Sequence, residues 1–369
     1  MKQFTCNDCG QPVFFENSQC MNCGHQLAYR PDQRAMQSFK WEQFDAEGTG
    51  DPEWQPCTNY RNHNICNWAV LIADGNPLCR SCRLTRVIPS LSEPDNLKSW
   101  FRLESAKRRL IYGLMGLGMQ LESKTENPEG GLAFEFLADT DEKTVLTGHQ
   151  SGLITVSLAE ADDVERERRR TQLHEPYRTL LGHFRHESGH YIWDRWIRDS
   201  DKLEDFRAVF GDERADYTTA LTRHYEQGPV PDWQANFVSA YSGSHPWEDW
   251  AESWAHYLHI RDGLEIAAWS GLRLRSMRIA SPMTEVAAAP LTTPTEFDRM
   301  LADWFSLTYI LNNLNRGLGL ADGYPFVLSP RVVAKLRFIH SMVELFGERE
   351  PAAIPVDERH AEPVTTTAV

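Results

Sequence analysis

Tyr177-Arg-Thr-Leu-Leu-Gly-His-Phe-Arg-His186-Glu187-Ser-Gly-His190-Tyr-Ile-Trp-Asp194 is the stretch whose reading decides the fold. On a helix, side chains four apart lie about 40° from each other around the axis, so His186 and His190 project from one face as two prongs. A catalytic zinc is gripped in this way, and Glu187, beside the first prong, has a carboxylate able to serve as base toward a water. The spacing predicts a helix over 175–197. Its two glycines, Gly182 and Gly189, each cost about 1 kcal/mol relative to Ala in a helix interior, which predicts close packing against another element. A sheet strand passing over the helix is the expected neighbour.

Two histidines do not complete a catalytic zinc site, so a third ligand is needed. Astacin-type extension requires Gly three and His six residues after His190; Trp193 and Trp196 stand there, and that class is excluded. The best downstream helix opens at Ser244-His245-Pro246, where Pro suits the first turn, and runs through Trp247-Glu-Asp-Trp-Ala-Glu-Ser-Trp-Ala-His-Tyr-Leu-His259. Trp247, Trp250, Ala251, Trp254 and Leu258 form an apolar stripe, while Glu248, Glu252, His256 and His259 line another face. Read from the residues alone, Glu248, Asp249 and His245 are all open as the third ligand.

The Glu-x-x-Ala-Glu pattern of Glu248 to Glu252, downstream of His-Glu-x-x-His, resembles gluzincin metallopeptidases, including thermolysin-like and anthrax lethal-factor-like enzymes. The resemblance implies that Glu248 binds zinc and that Glu252 orients a ligand histidine. It also implies that Tyr241, seven residues before Glu248, stabilises a transition-state oxyanion. The longer phrases Tyr177-Arg-Thr-Leu-Leu-Gly-His-Phe-Arg-His-Glu, Gly211-Asp-Glu-Arg and His245-Pro-Trp-Glu-Asp-Trp-Ala-Glu are similar to those of a bacterial family of zinc-binding metallopeptidases that carry an N-terminal zinc ribbon. The fold class expected is therefore α+β: a mainly helical zincin-like domain with a small sheet, preceded by four-cysteine zinc-ribbon modules.

All eight cysteines lie before residue 83, which in a chain with no export signal points to metal rather than disulfides. Cys6-x-x-Cys9 and Cys20-x-x-Cys23 are two knuckles, each followed by a glycine that lets the backbone turn. Cys57, Cys66, Cys79 and Cys82 form a second set, with His63 as a substitute ligand. Four-thiolate sites are closed, so these metals hold structure, and each small module is expected to depend on its own ion. Together with the clamp, the chain is expected to carry one catalytic and two structural Zn2+.

The organisation expected is a ribbon over 1–30, a linker over 31–56, a second four-cysteine module over 57–90, the peptidase domain over 91–348 and a disordered tail over 349–369. Within the large domain, Asn96 to Tyr112 reads as a helix with Leu97, Trp100, Phe101, Ala106 and Leu110 on its apolar face. Lys107, Arg108 and Arg109 suit the negative end of its dipole. Residues 131–138, 152–158 and 144–146 read as strands, and 160–170 as a charged helix. The capping box Thr293-Pro-Thr-Glu296 opens one late helix and Ser329-Pro330 another, which ends before Gly347.

A formal charge of −14 opposes a nucleic-acid surface, and no apolar run approaches a membrane span. The start has no apolar signal region, so a cytoplasmic protein acting on a peptide or protein substrate is expected, with the ribbons available to a protein partner. The competing functions are a ribbon-based interaction module whose clamp is degenerate, and hydrolysis of a non-peptide amide or ester. A retained Glu187 favours hydrolysis, because a structural site has no use for a base.

Overall fold

The computed structural model describes residues 1–44, 53–140, 144–172, 178–273 and 297–347. The amino-terminal part is built from three two-stranded antiparallel units: β1 (Phe4–Thr5) with β2 (Pro12–Val13), β3 (Gln26–Arg30) with β4 (Ala35–Phe39), and β5 (Trp54–Pro56) with β6 (Ala69–Leu71). The short helix α1 (Thr58–His63) follows β5. The stretch 31–56, expected as a polar linker, thus supplies β4, a 3-10 turn at Trp41–Phe44 and β5. Its aromatics explain the difference: Phe39 packs edge-on against Trp41, Phe44, Trp54 and Tyr60. The two cysteine modules are stitched together by Asn67, whose side-chain amide donates to Phe15 O at 2.6 Å, and by the Tyr60 hydroxyl, which donates to Ser18 O at 2.8 Å.

A four-stranded mixed sheet follows, in the order β7 (Thr85–Val87), β8 (Ala133–Leu137), β10 (Leu153–Ser157), β9 (Gly148–Gln150). β7, β8 and β10 are parallel and β9 runs against β10. Residues 144–146 are not a strand; the third strand comes later, at 148–150, where the chain reverses tightly into β10 through Ser151 and Gly152, both at positive φ. Two helices cover one face of the sheet. They are α2 (Asn96–Gly116) and α4 (Leu180–Trp196), whose Phe184 meets Phe134 and Phe136 at 5.7 and 6.2 Å.

The buried face of α2 differs from the one expected. Leu97 and Phe101 are 42% exposed, whereas Lys107 and Arg108 are buried. Lys107 pairs with Glu104 at 2.9 Å and lies over the Phe134 and Phe136 rings, and Arg108 donates to Ile65 O at 2.5 Å. These charges are tolerated because each is partnered.

The charged helix α3 (Asp163–Gln172) precedes α4; α5 (Leu203–Phe210), α6 (Tyr217–Gln227) and the single turn α7 (Trp233–Asn236) lead into α8 (Pro246–Trp269). α9 (Phe297–Gly317) and α10 (Pro330–Phe346) pack on α8. The capping box at 293–296 and the tail at 349–369 lie outside the described residues. α4 starts at Leu180 rather than 175, with the Thr179 hydroxyl capping the Gly182 N–H at 3.0 Å.

One core runs through both parts of the chain. Tyr112 of α2 packs edge-on against Phe15 at 5.2 Å, and Arg34 lies over the Tyr112 ring while reaching Glu265 of α8 at 3.7 Å. The four-cysteine modules therefore share buried surface with α2 and α8 and do not stand apart. Among the described residues no helix is long and apolar enough to cross a membrane.

Candidate metal centre

Gly189 lets α4 and α8 approach closely enough to share one site. An added Cβ there would lie 2.8 Å from Ala251 Cα and 3.1 Å from Trp254 Cδ1, so the tight neighbour is helix α8 and not a strand. Two tryptophans of α8 lock this contact: the Trp250 indole donates to Gly189 O at 2.8 Å and the Trp254 indole to Ser188 Oγ at 3.0 Å. The apolar stripe of α8 thus grips the back of α4 and sets Glu248 opposite the two histidines.

The three donor atoms converge. His186 Nε2 lies 3.2 Å from His190 Nε2 and 2.9 Å from Glu248 Oε2; the second oxygen of the carboxylate, Oε1, stands 3.6 Å from His190 Nε2. Ligands about 2.0–2.1 Å from a tetrahedral zinc stand about 3.3 Å apart, so these spacings fit that ion. Glu248 Oε2 is buried and accepts no hydrogen bond, as a ligand oxygen facing a cation would be. Two histidines and one carboxylate also leave a fourth position open, the donor set of catalytic rather than structural zinc.

Asp249 and His245 take no part in this cluster. Asp249 points to the other side of α8 and pairs with buried Lys335 at 2.6 Å; burial pushes its carboxyl up to about 7 against the pull of that lysine. His245 caps α8, its Nδ1 accepting from Trp247 N at 3.1 Å. His183, His256 and His259 also lie outside it, on Glu160, Tyr324 and Arg185.

The electrostatics favour a positive charge in this pocket. Burial works against a charged His186, yet Glu248 and Glu252 raise it well above its ordinary value. Glu252 Oε1 meets His186 Nδ1 at 2.8 Å and its other oxygen accepts from Ser239 Oγ at 2.7 Å. Burial opposes its ionisation, but His186 outweighs this and holds it down to about 2. A carboxylate behind a histidine in this way fixes the ring orientation and makes the front nitrogen a better ligand. Glu187 is 8% exposed, and its burial pushes its carboxyl upward.

Tyr241 lies in a 3-10 turn before α8, with its ring 6.0 Å from that of His186. Burial and the nearby Glu248 charge raise its phenol well above the usual range, so it stands as a neutral donor. Tyr217 and Ser239 escaped the sequence reading. The Tyr217 hydroxyl donates to Glu248 Oε1 at 2.6 Å, from a helix 31 residues upstream with no spacing motif to mark it. His149 of β9 also reaches the centre, its buried ring stacked on His190 at 6.1 Å.

Both cysteine sets are gathered as the spacing implied. Cys6, Cys9, Cys20 and Cys23 form one cluster and Cys57, Cys66, Cys79 and Cys82 the other. Sulfur pairs stand 3.7, 3.6 and 3.8 Å apart, against about 3.8 Å expected around zinc. His63 packs on Trp100 instead and is not needed as a ligand.

Residues 96–342 match the family model described as "Putative zinc-binding metallo-peptidase", and residues 3–93 match a zinc-ribbon domain. The chain belongs to this zinc-binding metallopeptidase family. Its relatives include uncharacterized proteins of Mycobacterium bovis and Mycobacterium tuberculosis, each 44% identical over 354 residues, 95% of this chain and 98% of the relative. No solved structure matches the chain. Family membership and the two cysteine clusters together make this a zinc-binding protein.

Proposed function

We propose that the chain is a zinc-dependent peptidase of gluzincin type, with His186, His190 and Glu248 holding the metal and Glu187 as general base. The observation that carries this reading is the convergence of three donor atoms on an open centre with a buried carboxylate beside them. When bound, zinc supplies Lewis-acid chemistry, polarising an acyl oxygen and acidifying water. Glu187 then has two tasks: it takes a proton from the attacking water and delivers it to the leaving amine. Its raised affinity for a proton suits both. Glu252 holds the His186 ring in register, and the neutral Tyr241 hydroxyl donates to the oxygen that gains charge.

The strand read at 152–158 is flanked by β8 and β9 and offers no free edge to a substrate. β9 is the outer strand on that side and packs on α4, which supports addition of an extended peptide there and favours a peptide over other amides or esters. The two cysteine clusters act as structural zinc sites. A proteome-wide comparison of new chain termini in cells carrying wild type or Glu187→Gln tests the proposal. Termini found only with wild type are expected; identical sets of termini would overturn it.

A further inference from the structure

Glu248 has two oxygens, and a catalytic centre needs one of them kept away from the metal. A carboxylate that binds through both oxygens occupies an additional coordination position, which is the position substrate and water require. Here the two oxygens are treated differently. Oε2 stands 2.9 Å from His186 Nε2 with no hydrogen bond of its own, whereas Oε1 accepts from the Tyr217 hydroxyl at 2.6 Å.

Resting on the zinc reading above, we propose that Tyr217 is a positioning residue that restrains Glu248 to coordination through one oxygen, keeping the fourth position open. The tyrosine is itself fixed. Its ring packs edge-on against His245 at 5.2 Å and Trp247 at 5.8 Å, and Asp216 caps the helix it opens by accepting from Thr219 N at 2.7 Å. Tyr217 thus serves the ligand Glu248, a role distinct from the one proposed above for Tyr241.

The test uses full-length protein with cobalt in place of zinc at the histidine centre. Its visible absorption is read as the difference from His190→Ala protein loaded identically, so that the cysteine sites cancel. Wild type should give the strong band of four-coordinate cobalt. Tyr217→Phe, which keeps both ring contacts, should weaken that band as the freed carboxylate takes a second position, and should lower zinc affinity by about 10 to 100-fold. Tyr241→Phe should leave the band unchanged. A Tyr217→Phe protein with wild-type band and affinity overturns the role of Tyr217 while leaving the zinc centre intact. A wild type with no band beyond His190→Ala overturns the centre itself.

Discussion

Substituting Gly189 with alanine tests whether the α4–α8 contact sets the metal geometry. In an isolated helix the change is favourable by about 1 kcal/mol, because glycine is the poorer helix former. Here the new methyl would stand 2.8 Å from Ala251 Cα and 3.2 Å from Trp254 Cβ, closer than carbon atoms pack, and the first of these belongs to backbone that cannot swing aside. Overpacking of this kind costs about 1–3 kcal/mol, so the net effect should be a loss of about 0–2 kcal/mol. The helices can relieve the clash only by separating, and Glu248 sits on one while both histidines sit on the other. Its 2.9 and 3.6 Å spacings to them would widen together. Zinc affinity at this centre should therefore fall by about 10-fold or more, beyond what the stability change alone would produce. Urea unfolding of metal-free protein gives the first quantity and competition with a chelating dye the second. A variant stabilised by the full helix-propensity gain and binding zinc as tightly as wild type would refute the reasoning.

The two neighbouring acids of α8 should separate cleanly: Glu248→Ala should lose the histidine-centre zinc. Asp249→Ala should keep it but lose about 3–5 kcal/mol of stability by stranding buried Lys335, as chemical denaturation would report. The folded protein binds a proton at Asp249 more tightly than the unfolded chain does. Asp249 should therefore subtract stability as pH rises from about 4 through about 7, a slope that a joint Asp249→Asn, Lys335→Met change should flatten. Cys57→Ser should lower the melting temperature of the whole chain in one transition, because α2 and α8 share a core with the ribbon part; a separate early transition in calorimetry would contradict this.

The clamp was legible because helical geometry converts spacing into direction: residues four apart must share a face, and His186 and His190 do. The first cysteine set was legible for a similar reason, since knuckle spacing brings thiolates together at short range; in the second only Cys79 and Cys82 have that spacing, and clustering in the chain marked the rest. Long-range facts were not. Tyr217 reaches Glu248 only because the start of α6 comes back to the first turn of α8, and no periodicity records that return. Gly189 advertised close packing but not its partner. α2 misled more directly, because pairing with Glu104 and the carbonyl of Ile65 lets Lys107 and Arg108 be buried, while Leu97 and Phe101 stay half exposed. Composition treats lysine as surface, and burial of a paired lysine depends on neighbours distant in sequence. The segment 31–56 looked polar overall, yet in its described parts Phe39, Trp41, Phe44 and Trp54 pack on one another and on Tyr60.

The most direct measurement of the central claim is zinc per chain in freshly purified wild type and His190→Ala, by elemental analysis. Two four-cysteine clusters and one histidine–carboxylate cluster should bind three zinc in wild type and two in the variant. Equal zinc in the two proteins would contradict the assignment of His186, His190 and Glu248 as a metal centre.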